Sequence, residues 1–405
     1  MVTIDKALET IYSTVTQKSR HIIPIEESIG SISSRSYKAS FDLPRFDNSA
    51  MDGYAVKLAD SGKEVKVREI TYAGDAPQES FVEGEAIKIM TGAPTPNGCE
   101  AIVPIEDIEK TPQGIILPTN IKKNAMIRWK GEDIKSGKTF INSNEKITAY
   151  SLALLSSQGI THIEVFRKPK VVIFSTGEEL KAHYEKIESH QLYNSNAPMF
   201  YGRAKELGCD VSYISSSGDT VEELKLSIEE AIDTDLILTS GGVSVGDKDF
   251  TIQAFTELGM ETLFSKVNIK PGKPTTFGKL GDCFVINLPG NPLASMVNFE
   301  MFVKPTILKL SGTKSFYHSV ITTKMRDNHK VKAGKYTVIL GEWDGDSFAP
   351  LSNQKPGMVS PLEKADGMIV TKPEVSGLEK SQEVRMIPIK IDFQSDKKRD
   401  FFIEV

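Results

Sequence analysis

What this chain has little of narrows the options first. Its 405 residues include three cysteines, Cys99, Cys209 and Cys283, far apart and odd in number. They offer no disulfide framework and read as reduced, buried residues. The six histidines show no zinc-ligand spacing, which argues against a transition-metal site built from His and Cys. No run of about 18 apolar residues occurs, so no membrane span is expected. No basic-then-apolar leader opens the chain, and a cytoplasmic location is expected. An excess of positive charge is also missing: the net charge of −5 argues against nucleic acid as the main partner.

What is present is an ordinary globular composition, 39% hydrophobic and 25% charged, in a chain long enough for two to four domains. Ile4, Ala7, Leu8, Ile11 and Val15 share one helical face and predict an opening amphipathic helix. From about residue 41 to 138, short β-like runs (64–70, 86–90, 101–105, 114–117) alternate with Gly, Pro and Asn turns, as in a small all-β domain. Residues 148–158 read as a helix with Thr148 as its N-cap and Gly159 just past its end. After Pro169, strands (170–174, 211–214, 236–239, 283–288) alternate with helical patterns. That rhythm predicts a mainly parallel sheet covered on both faces. Beyond about Ser311 the chain turns β-rich again, as in a small barrel or sandwich. These shifts in pattern set the expected boundaries near residues 41, 137, 169 and 313.

In such α/β sheets ligands bind beyond the carboxyl ends of the strands. The loop 240–249, SGGVSVGDKD, follows one strand. Gly241, Gly242 and Gly246 permit close backbone approach, and with Ser240 and Ser244 they form an anion-binding nest. Asp247 and Asp249 can hold a divalent cation beside a phosphate, and Asp249 can equally cap the next helix. Ser175, Thr176 and Gly177 follow the first parallel strand and offer hydroxyls and N–H groups to a phosphate, with Glu178 or Glu179 beside a cation. Lys266, Lys270 and Lys273 surround Lys-Pro-Gly-Lys-Pro, a stiff loop suited to clamp an oxyanion because prefixed cations lose little entropy on binding. The segment 289–292 offers its backbone to a ligand from another strand end, between Pro289 and Pro292. Asp52, Thr91 and Asp133 lie in segments whose residues are common in turns, and locally they carry little signal.

Taken together and in order, FDNSAMDGYAV (46–56), IMTGAP (89–94), GED (131–133), FSTGEEL (174–180), SGGVSVGDKD (240–249), IKPGKP (269–274) and LPGNP (288–292) resemble the molybdopterin molybdenumtransferases: bacterial MoeA, its plant homologue and the gephyrin E domain. The resemblance implies a multidomain α/β plus β fold. Its centre is a MoaB/Mog-like doubly wound α/β domain, with flanking small β domains and a C-terminal β-barrel-like domain. It implies a homodimer whose active site lies at a subunit boundary, with the α/β domain of one chain facing the Asp52-bearing domain of the other. It implies insertion of molybdate into adenylylated molybdopterin with release of AMP, dependent on magnesium. By motif, the functional acids fall on Asp52, Asp133, Glu179, Asp219 and Asp249, with Asp219 and Asp249 at the metal, Thr91 at the substrate, and Lys266, Lys270 and Lys273 as the lysines. A separate molybdopterin adenylyltransferase and apo-molybdoenzymes are the implied transient partners. A departure is the lack of any arginine within 335–341, where many relatives place one near the position of Leu340. The loop at 357–361 is altered too, reading GMVSP. A non-catalytic molybdopterin carrier and a gephyrin-like dimeric scaffold are the competing readings.

Overall fold

The computed structural model describes residues 1–17, 19–175, 179–215, 220–241, 250–390 and 402. The α/β domain runs through β1 (Lys170–Ser175), α1 (Asn196–Glu206), β2 (Asp210–Ser215), α2 (Val221–Ala231), β3 (Leu236–Ser240), α3 (Phe250–Glu257), β4 (Glu261–Ser265), β5 (Thr276–Leu280), β6 (Cys283–Leu288), α4 (Pro292–Asn298) and α5 (Lys304–Leu310). One sheet holds all six strands in the order β2-β1-β3-β6-β5-β4. The first four are parallel, and β5 and β4 add an antiparallel edge.

Side chains alternate across this sheet and build two cores. Val171, Ile173, Leu236, Leu238 and Ile286 pack on one face against α1, α4 and α5. Val172, Phe174, Ile237 and Val285 pack on the other against α2 and α3. Burial on both faces is why these strands read as unbroken apolar runs. Local signals set the helix limits. The Thr220 hydroxyl accepts from the Glu223 N–H at the start of α2, and Gly208 takes a φ of +84° just past α1. The N-terminal helix Ile4–Thr14 buries Ile4, Ala7 and Ile11 in the first of these cores.

The remaining sheets flank this domain. Arg20–Pro24 pairs antiparallel with His162–Phe166, and Tyr37–Lys38 with Thr139–Ile141, so the chain enters and leaves the small β domain side by side. That domain's six-stranded sheet includes Gly53–Val56, Glu64–Thr71, Glu85–Ile89 and Ala101–Pro104 and has a core on each face. Beyond that domain, Thr148 caps the helix Ala149–Ser157 through a capping box, and Gly159 follows at φ +70°. In the C-terminal domain, Tyr336–Trp343, Ser347–Pro350, Ile321–Met325, Glu383–Pro388 and Gly367–Thr371 close into a five-stranded barrel. Along Tyr336–Trp343, Ile339 fills the barrel while Val338 and Leu340 turn outward into the α/β core. Cys209 and Cys283 are buried as expected, whereas Cys99 is half-buried at its loop. Among the described residues no helix is long and apolar enough to cross a membrane.

Candidate functional site

The parallel register aligns the carboxyl ends of the strands, with Ser175 beside Ser215 on one side and Ser240 on the other, and Ser240 beside Leu288. From β1 the chain steps to β2 at one edge, then crosses back to β3 on the far side of β1. The crossover direction therefore reverses between β1 and β3, where open α/β sheets bind ligands. A cleft of about 670 Å³ opens at this edge. Glu179, Ser240, Gly241, Pro289 and Pro292, all singled out in the sequence, line it. Gly241 has a φ of +93°, a conformation suited to glycine. Glu179 is exposed and, among the described residues, is the only acidic side chain in the lining.

Sequence reasoning missed the polar floor of the cleft. Asn196, at the start of α1, is 5% exposed. Its Nδ2 donates to Ser240 Oγ at 2.6 Å and to the Gly290 carbonyl at 2.8 Å, tying two of the cleft's loops together. Its Oδ1 is buried with no hydrogen-bond partner among the described residues. Below it, Thr239 Oγ1 donates to Asn287 Oδ1 at 2.6 Å. The only signal for Asn196 was its place in an Asn-Ser-Asn run ahead of a helix, a pattern usually read as capping.

The lysine loop borders the same cleft through Pro274. Lys266, Lys270 and Lys273 are exposed, and none forms an ion pair within the described residues. Their backbone is held firmly. The Lys266 N–H donates to the Thr275 carbonyl, the Val267 N–H to the Lys273 carbonyl, and the Val2 N–H to the Lys266 carbonyl. Ile269–Lys270 pairs with Tyr336–Thr337 of the C-terminal domain. That domain also supplies Gly357 and Val359 to the cleft lining. Leu340 itself is 1% exposed in the hydrophobic core, and its N–H donates to Gln354 Oε1 at 2.8 Å. The C-terminal domain thus meets the cleft through the altered 357–361 loop.

Asp52 and Thr91, 39 residues apart, come together in the small β domain. Asp52 Oδ1 accepts from the Thr91 N–H at 2.7 Å and from Thr91 Oγ1 at 2.8 Å. The Thr91 backbone N–H first, then its hydroxyl, hold the exposed Asp52 carboxyl below its usual pKa, with Lys88 adding to the effect. Gly53 is required next to it, because a Cβ there would lie 2.3 Å from the Val103 carbonyl on the adjoining strand. Asp133 is exposed, and its N–H donates to the Leu43 carbonyl at 3.0 Å. None of Asp52, Thr91 or Asp133 lines the cleft. Ser175 ends β1 at the cleft edge of the sheet. Thr176, Gly177, Asp219, Gly242, Ser244, Gly246, Asp247 and Asp249 lie outside the described residues. Among the described residues no group of three or more His, Cys, Asp or Glu side chains could hold a metal ion.

This architecture recurs in known proteins. Residues 2–159 match the family model of the MoeA N-terminal region, domains I and II, and residues 172–309 match that of a probable molybdopterin binding domain. A molybdopterin molybdenumtransferase of Staphylococcus epidermidis is 30% identical over 382 residues, 91% of each chain. The chain belongs to the molybdopterin molybdenumtransferase family. Another member, from Haemophilus influenzae, is 35% identical over 321 residues, 78% of this chain and 79% of that one. The crystal structure of a molybdopterin biosynthesis MoeA protein from Pyrococcus horikosii superimposes with a TM-score of 0.83 at 29% identity, covering 96% of this chain and 99% of the other. The expected fold of this family, a central α/β domain flanked by β domains, is the fold observed.

Proposed function

We propose that this molybdenumtransferase-family protein inserts molybdate into adenylylated molybdopterin, releasing AMP and molybdenum cofactor. The observation that carries the reading is the meeting of two features at one sheet edge. A cleft at the topological switch point adjoins a rigid loop bearing three exposed lysines. A phosphoanhydride and molybdate are both anionic, and the described cleft lining contributes a single acid, Glu179. The loops after β1 and β3 would cradle the phosphates. Lys266, Lys270 and Lys273 would hold molybdate, their conformation set before it arrives.

The candidate magnesium ligands are Asp219 and Asp249, which follow β2 and β3 in the sequence as Glu179 follows β1, and carboxylate oxygens are the donors such an ion takes. When bound, the ion would offset the charge of the phosphoanhydride. The chain's own residues then bind and orient: the asparagine floor fixes the loops, the lysines hold the oxyanion, and no covalent nucleophile is needed. Asp52, Thr91 and Asp133 would complete the site from the partner subunit of a homodimer.

The deciding experiment is AMP release from adenylylated molybdopterin by purified protein with magnesium, with and without molybdate. Molybdate-dependent release coupled to active cofactor is the expected result. Tight substrate binding without release would instead identify a carrier.

A further inference from the structure

The lysine loop is held from beneath by a residue no motif marks. α4, the π-helical turn Phe299–Val303 and α5 form one continuous helix. Asn298, the last residue before the π-turn, is fully buried, and so is Thr275 at the end of the lysine loop. Asn298 Nδ2 donates to the Ala294 carbonyl at 2.7 Å and reaches the Pro271 carbonyl at 3.4 Å. Its Oδ1 accepts from Thr275 Oγ1 at 2.9 Å, and the same hydroxyl lies 3.0 Å from the Gly272 carbonyl. Gly272 has a φ of +104°, and a Cβ on it would fall 1.7 Å from Asn298 Nδ2. The loop and the asparagine are therefore fitted to each other, with a glycine where any side chain would collide.

The π-turn begins directly after Asn298. At about 100° per residue, Glu300, two residues past Asn298, lies on the opposite side of the helix, where it pairs with Arg203 at 2.6 Å and Lys304 at 3.3 Å. Such turns are uncommon and concentrate at functional sites.

We infer that Asn298, with Thr275, is a positioning residue that fixes the spacing of Lys270 and Lys273 and so sets the affinity of the loop for a tetrahedral oxyanion. Neither side chain touches the anion, since both are wholly buried. They act through the Pro271 and Gly272 carbonyls, which lie between the two lysines. The inference rests on the reading of this loop as the oxyanion clamp.

The test is calorimetric titration of the full-length protein with sodium molybdate, and with sulfate for comparison. Lys270→Ala probes the clamp, and Asn298→Ala and Thr275→Val probe the latch. Thr275→Val keeps the shape and removes only the hydroxyl, so it decides the matter if Asn298→Ala does not fold. The expected result is weaker molybdate binding in all three, by about tenfold for the latch variants, without loss of the folded state. In turnover, the latch variants should raise the KM for molybdate while kcat at saturation stays within about twofold. Weakening by Lys270→Ala with wild-type affinity in a folded latch variant would overturn the inference and leave the clamp standing. Unchanged affinity in Lys270→Ala would remove the clamp itself, and the inference with it.

Discussion

Asp52 shows how much a single short contact can decide. Its carboxylate is exposed, so burial does little to its charge, and two donors from Thr91 act on one oxygen. Donors to the ionised form lower a carboxyl pKa, so removing one must raise it. Thr91→Val deletes the hydroxyl and keeps the backbone N–H, which is the larger of the two influences. The Asp52 pKa should therefore rise only part of the way to its ordinary value, read by carboxyl-carbon NMR titration. If Asp52 acts in turnover as an anion, the acid limb of the pH–rate profile should move to higher pH by the same amount. A titration identical to wild type would show that the hydroxyl contact does not form in solution. The sequence displayed both residues but not their pairing. Asp-Gly and Thr-Gly are ordinary turn pairs, and the contact exists only because the sheet brings two distant turns together.

At the scale of elements, apolar pattern and capping residues made most of the fold legible. β1, β3 and β6 are buried on both faces and read as apolar runs, and Thr148 and Gly159 mark helix ends at the positions expected. The antiparallel edge did not announce itself. β4 is exposed at Glu261, Thr262 and Ser265, and β5 carries Gly278 mid-strand because Met260 and the Glu261 carbonyl crowd that point. Neither segment shows clean alternation. The π-turn was equally hidden, since no residue type in Phe299–Val303 distinguishes it from an ordinary helical turn. Within it sits a buried ion pair between elements. Glu300, 1% exposed, is held by Arg203 of α1 and Lys304. Arg203→Met should destabilise the protein by about 3–5 kcal/mol, because it strands a buried carboxylate with one cation at the rim. Adding Glu300→Met should recover much of that loss, since the uncompensated charge is gone. Urea unfolding of the two variants checks both signs, and equal stability of the single and double variants would show that the charge is not the cause.

For the whole molecule the question is how the proposed reaction would draw on two separated sets of residues. The cleft has its asparagine floor and its lysine border, yet Asp52, Thr91 and Asp133 are not among its lining residues and belong to the small β domain. The proposed homodimer resolves this if each site draws its cleft from one subunit and its Asp52 from the other. Complementation tests that arrangement directly. Asp52→Ala and Lys270→Ala should each be inactive alone. After subunit exchange in equal amounts, half the dimers are mixed, and each mixed dimer has one site with both residues intact. Recovery of about a quarter of wild-type turnover is therefore expected from closed twofold symmetry. A site built within one chain predicts no recovery, because every site would keep one lesion. If differently tagged subunits co-purify after exchange yet the mixture stays inactive, the shared site is wrong, and Asp52 must act within its own chain.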